Sequence, residues 1–218
     1  MSNYPASPET KLRRHPERGS EDRTSIHALL DEALVISIVH LHEGVPYAIP
    51  TAFVRDGEDV ILHGAMANRA LSSVGESRFS LSVTLLDGLV FARSAFSHSM
   101  NYRSAVIFGE ARNVVDMEEK RRVLALLVDK VAEGRSKQAR PPTDAELHAT
   151  AVVAVRITHA SLKTRTGGPR DMESDQGFEV WTGVVPMALH AHVPIADIPI
   201  RDDLPAPRLP DRLRALLE

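Results

Sequence analysis

"VPYAIPTAFVRDGEDVILHGA", residues 45–65, reads as two β-strands joined at Asp56–Gly57. Asp-Gly between apolar runs is a strong hairpin signal, because Gly accepts the positive φ of a tight turn. Pro46 and Pro50 cannot donate to a ladder, so the first strand is expected at an edge or with a bulge. Outward on the N-terminal side, "LVISIVHLHE" alternates through Val35, Ser37, Val39 and Leu41, which predicts another strand. Before it, "SEDRTSIHALLDEAL" predicts a helix: Ser20 can cap it, Glu21 and Asp22 suit its positive end, and Ile26, Leu29 and Leu30 share a face. Residues 1–20 are rich in charge, Pro and Ser and lack periodicity, so an extended or disordered arm is expected there.

On the C-terminal side, "MANRALSSVGE" predicts a short helix directly after a strand. "RFSLSVTLLDG", "LVFARSAF" and "YRSAVIFGEARNVV" predict further strands, with Asp87–Gly88 read as another turn. "DMEEKRRVLALLVDKVAEG" predicts a helix capped by Asp116, striped by Val123, Leu126, Leu127 and Val131, and stopped by Gly134. A loop with a short helix after Thr143, a long strand "AVVAVRITHASLKTRTG", an ordered "VWTGVVPM" and a Pro-punctuated tail with a closing helix complete the chain. The organisation expected is an arm at 1–20, one domain at 21–190 and a tail at 191–218. Many short strands with few helices favour a mainly antiparallel barrel or sandwich.

Composition narrows the function classes. The 218 residues are 43% apolar and 25% charged, ordinary for a globular chain able to bury a core. The net charge of −3 shows no basic excess of the kind that marks nucleic-acid or membrane-surface binding. There is no cysteine, which excludes disulfides, thiolate metal sites and cysteine nucleophiles. No apolar run approaches the length of a spanning helix and no apolar leader is visible, so the expectation is a cytoplasmic protein.

Of the ten histidines, His40 with His42 and His190 with His192 alternate on a strand face, but neither pair has a third ligand at a convincing spacing. His63 closes an apolar strand ahead of Gly64 and the predicted helix. Free N–H groups at such a helix start, joined by Asn68 and Arg69, suit an anion; equally, His63 can cap the turn with Arg69 solvated. "FSHSMNYRSA", residues 96–105, interrupts two apolar runs with polar side chains. In a strand, Asn101 and Arg103 face one side and Tyr102 and Ser104 the other. Arg103 can meet an anion or pair with a carboxylate. Trp181, the single tryptophan, can anchor a core or interface or wall a planar ligand. No Ser-His-Asp order and no nucleophile elbow is present.

Taken together, "GVPYAIPTAFVRDGEDVILHGAMANRALSSV", "SVTLLDGLVFARSAFSHSMNYRSAVIFGEAR" and "VWTGVVP" resemble the pyridoxamine 5′-phosphate oxidase-like flavin-binding superfamily, within it the branch of nitroimidazole-resistance and flavin-nucleotide-binding proteins. The resemblance covers roughly residues 20 to 190. It implies an FMN-binding split β-barrel, antiparallel and Greek-key-like, forming a homodimer with FMN at the interface. It implies that Ile49, Pro50, Thr51 and Ala52 run beside the flavin ring, that His63, Gly64, Asn68 and Arg69 hold its phosphate and ribityl chain, and that Tyr102, Arg103, Ser104 and Trp181 complete the site. Ser104 stands where the family has Gln. His63 matches the residue proposed as functional near the flavin. The strand "AIPTAFV" lacks the basic residue of true pyridoxamine phosphate oxidases, and no matching Arg-Leu-x-Pro segment follows "VVP" at the expected distance, so that activity is not expected.

The leading expectation is an FMN-dependent oxidoreductase acting on a small molecule, nitroreductase-like in one form, with FAD as the other flavin. No Rossmann glycine pattern appears, so a nicotinamide would be a visiting substrate. The alternatives are a non-catalytic binding or storage module for flavin or haem, and a structural dimer without a ligand.

Overall fold

The structure, a computed structural model, describes residues 3–66, 71, 79–197 and 206–210. The helix expected over residues 66–76, with Asn68 and Arg69, and the closing helix of the tail fall almost wholly outside the described residues.

Eight strands form one antiparallel system: β1 (Gly19–Ser20), β2 (Val35–His42), β3 (Val45–Asp56), β4 (Asp59–Ala65), β5 (Phe79–Phe91), β6 (Ser99–Asn113), β7 (Thr150–Arg165) and β8 (Gly183–Pro186). Six of them pair in the order β7-β4-β3-β2-β5-β6, and β6 pairs back onto β7, which closes a barrel and removes its edges. The longest strands serve two neighbours on one side: β5 meets β2 through residues 79–82 and β8 through 88–91, and β7 meets β4 through 150–156 and β1 through 162–163.

The hairpin at Asp56–Gly57 forms as its sequence predicts, with Gly57 at φ 61°. Asp87–Gly88 does not turn the chain. It lies inside β5, where the register with β6 slips between Leu86 and Gly88. A bulge uses the same residue types as a turn, and here Gly88 admits β8: a Cβ there would stand 3.1 Å from Val185 O.

α1 (Arg23–Glu32) starts from Asp22, not Ser20; the Asp22 carboxylate accepts from Ser25 N at 2.8 Å, while Ser20 is spent in β1. Its Ile26, Leu29 and Leu30 plug the barrel interior beside Ile36, Ile38, Phe53, Leu62, Leu81, Ile107 and Val155. Residues 3–20 are not a loose arm. Tyr4 is 2% exposed, its hydroxyl 2.7 Å from both His27 Nε2 and Glu58 Oε2, with the Arg23 guanidinium over its ring. A single buried aromatic with a satisfied hydroxyl ties down a segment whose composition alone reads as unstructured.

α2 (Met117–Val131) is capped by Asp116, which accepts from Glu119 N, and Gly134 follows at φ 71°. It lies on the outer face of β3, β4 and β7 over a second apolar cluster of Val54, Ile61, Val114, Val123, Val152 and Ala154. Two short helices, α3 (Arg135–Gln138) and α4 (Asp144–Ala149), complete this cover, the latter with a full Thr143–Glu146 capping box. The Lys120 ammonium, 8% exposed, donates to Leu147 O and Thr150 O, binding α2 to the end of α4. Among the described residues no helix is long and apolar enough to cross a membrane.

Candidate functional site

Strand alternation decides where the predicted site residues point. Val60 and Leu62 belong to the barrel core, and Ile61 to the cluster under α2. His63, two residues beyond Ile61 and paired with Val152 of the same cluster, therefore stands on the outer face. On β3, Phe53 points inward and Val54 outward, so Ile49 and Thr51 face the barrel while Pro50 and Ala52 face α2's side. The four β3 positions thus split between two faces, and of them only Ala52 meets His63.

Ala52 and His63 line one cleft of about 690 Å³ between the barrel wall and its helical cover. Leu124, Leu127, Val128 and Val131 form the opposite wall. The apolar stripe of α2 is thus only partly spent on packing, and the rest faces this space. The rim from Ser136 to Glu146 is tied down. Asp129 accepts from Ser136 N and Oγ at 2.8 Å each, Arg121 donates to Pro142 O at 2.7 Å and pairs with Asp144, and Arg140 makes a fork to Glu146 at 2.7 and 3.0 Å. The Arg140 fork, with Thr143, pulls the Glu146 carboxyl down to about 2. The charged groups around the cleft are therefore paired with one another.

His63 differs. Its Nδ1 is buried and has no hydrogen-bond partner among the described residues. Burial pushes its imidazole below the usual 6.5, so the ring is neutral at pH 7. A neutral imidazole against apolar walls suits a metal-bearing planar ring, or a hydrogen bond to a flavin edge.

Arg103 takes the carboxylate alternative. It forks onto Glu32 (2.8 Å for its second contact) and onto Asp87 at 3.0 and 2.7 Å, and these partners hold it well above the usual guanidinium value. Tyr102 and Ser104 lie on the other face of β6, opposite Arg165 and Lys163 of β7. Sequence reading missed those two cations, because "LKTR" at a strand end looks like an ordinary solvated face. Trp181 is 65% exposed and meets Phe91 edge-on at 5.7 Å, beside β8 and away from the cleft. Gly64 follows His63 with its pairing to Ala151 intact. Asn68 and Arg69 lie outside the described residues. His40 is buried against Tyr47 at 5.7 Å, and among the described residues no three His, Asp or Glu are grouped to hold a metal ion.

Residues 22–164 match the family model described as pyridoxamine 5′-phosphate oxidase. The chain belongs to that family. Its barrel is the split barrel of this flavin-binding group. Two solved structures resemble it along nearly their whole length. The flavocytochrome Anf3 from Azotobacter vinelandii is 34% identical, with 97% of this chain and 98% of that one covered and a TM-score of 0.87. The FAD and haem binding protein from Mycobacterium smegmatis is 33% identical, with 92% and 97% covered and a TM-score of 0.82. A candidate 5-nitroimidazole antibiotic resistance protein from Bacteroides thetaiotaomicron, 21% identical over 66% of this chain and 85% of its own with a TM-score of 0.55, shares the fold. No curated protein matches the chain. The family match spans the barrel and α2, whereas the two long similarities also take in the N-terminal segment and the region beyond β7.

Proposed function

We propose that this protein binds a flavin and a haem and transfers electrons between a small-molecule donor and acceptor. The reading extends the sequence expectation of an FMN-dependent oxidoreductase by a second cofactor. One observation carries it: His63, whose buried Nδ1 has no hydrogen-bond partner among the described residues, lines an apolar cleft in a chain similar nearly end to end to two proteins named for flavin and haem.

The cleft fits a haem better than a flavin. A flavin ring has several polar edge atoms that need partners, whereas the described polar groups at the cleft rim already satisfy one another. A haem would need a nitrogen ligand and apolar walls. His63 would supply the nitrogen, and Leu124, Leu127, Val128 and Val131 would supply the walls. The flavin, FMN or FAD, is assigned to the positions given by the family resemblance on β3 and β6 other than Ala52, which lines the cleft, and Arg103, which Glu32 and Asp87 hold, with Trp181 as its outer wall. When bound, flavin and haem supply two-electron and one-electron redox chemistry, and the chain supplies position and surroundings.

The reading includes a cytoplasmic homodimer. Val35, Leu41, Val45 and Tyr47 on β2 and β3, and Leu86 and Met100 on β5 and β6, are each more than two-fifths exposed. Such apolar strand faces suit a second copy. Nitroreductase activity is one outcome of turnover with a small acceptor. The test is extraction of purified protein expressed with iron and haem precursor available: both a flavin and haem b should be released, near one each per chain. Protein that carries neither, and takes up neither on addition, overturns the reading.

A further inference from the structure

Cations gather where β6 begins and β7 ends. Tyr102 faces Arg165, and Ser104 faces Lys163, across the β6–β7 ladder. Residues directly opposite, and residues two apart, start from one face. From there the Arg165 guanidinium reaches round the strand end to Asn101 Oδ1, within the electrostatic range of Tyr102, and the Lys163 ammonium donates to Arg14 O at 3.2 Å. β1 pairs Gly19 with Lys163, which brings Arg18 to the same edge, and Arg170 returns from the loop after β7.

Arg165 is 6% exposed, yet it has only neutral acceptors: Asn101 Oδ1, Gly167 O at 3.2 Å and Gly168 O at 3.1 Å. Burial, then the charges of Arg18 and Arg170, disfavour its charged form, and a guanidinium stays charged regardless. Among the described residues no carboxylate lies within ion-pair distance of Arg165 or Arg170, and Arg18 reaches only Glu17 at 3.8 Å. This is not the habit of the chain: Arg55, Arg103, Arg112, Arg121, Arg122 and Arg156 each sit on a carboxylate. A guanidinium taken out of water beside two others is strongly unfavourable until a counter-charge arrives.

We propose that Arg18, Arg165 and Arg170, with Lys163, Tyr102 and Ser104, form a binding site for a phosphate-bearing ligand. A carboxylate would bring one charge to this group of cations, whereas a phosphate brings nearly two and several acceptor oxygens for the arginine forks and the two hydroxyls. The site is distinct from the cleft, since His63 pairs with Val152 near the start of β7 and Arg165 is its last residue. The phosphate belongs either to a flavin nucleotide or to a separate phosphorylated molecule.

The test is calorimetric titration of flavin-free protein with inorganic pyrophosphate at fixed ionic strength, so that failure of the cofactor reading leaves it intact. Saturable binding is expected. Arg170→Ala, at an exposed position, should weaken it at least about tenfold, as should Arg165→Gln if that variant folds. Arg122→Ala, which removes the same charge elsewhere, should leave it unchanged. Displacement of pyrophosphate by FAD but not by FMN would assign the site to the diphosphate of the flavin; displacement by neither would assign it to a separate ligand. Absence of saturable binding in the wild type, or equal binding by Arg170→Ala, overturns the proposal.

Discussion

Arg103 of β6 grips Glu32 at the end of α1, 71 residues earlier in the chain, and the same guanidinium grips Asp87 in the β5 bulge. One side chain thus ties the plug helix to the barrel wall. Because the pair is about one-third exposed, solvent screens it. Arg103→Gln removes both forks and leaves two carboxylates facing each other, and should cost roughly 1–2 kcal/mol in urea unfolding. Cofactor content should not change. Loss of flavin with unchanged stability would mean that Arg103 serves a ligand instead.

Tyr4 is the anchor of the N-terminal segment. Tyr4→Phe keeps the buried ring and removes the hydroxyl shared by His27 and Glu58. We expect a loss of about 1–3 kcal/mol, from leaving those partners unsatisfied. Limited proteolysis within residues 5–18 should speed up in parallel. If Tyr4→Phe unfolds like the wild type and resists protease equally, the segment does not depend on this contact.

His27 makes stability pH-dependent. Burial, and next the Arg55 charge, press its pKa below the usual 6.5. Between the depressed value and 6.5 the unfolded chain holds more protons than the folded one, so stability rises with pH across that window. It is fully present above about pH 6.5 and is lost as the pH falls below it. Unfolding midpoints measured from pH 7.5 to 5 should drop, and His27→Gln should flatten the drop. A profile identical in the two proteins would assign the acid sensitivity elsewhere.

Gly109 marks the slip of β6 against β7. A Cβ there would lie 2.3 Å from Arg156 O and 2.8 Å from Val155 Cγ1, both fixed in the ladder. Gly109→Ala should cost about 2 kcal/mol or more, or yield no soluble protein. Gly177→Ala, with open space around it, should be neutral. Equal stability of the two variants would contradict the close approach.

These contacts also explain what was legible beforehand. The Asp56–Gly57 hairpin, the Asp116 cap and the strand character of residues 150–165 are local signals, and each appears as read. Asp87–Gly88 carries the same local signal as the hairpin, yet β6 pairs along both sides of it and keeps the strand running. Tyr4 offers no periodicity, and its burial depends on residues 23 and 54 positions away. Arg103 could be placed on a face of β6 from the sequence, but its choice of Glu32 is made by the fold. The cleft at His63 was half legible: the residue was singled out, whereas the α2 wall facing it required knowing which side of the barrel the helix covers.

The central claim is that His63 holds a haem in the α2 cleft of a flavin-binding barrel. Its most direct test is titration of haem into flavin-loaded wild-type protein and into His63→Ala, followed by absorption. The account predicts a Soret band that saturates near one haem per chain in the wild type and is lost or shifted in His63→Ala, with the flavin bands equal in both. An unchanged Soret band in His63→Ala would contradict it, as would loss of the flavin in place of the haem.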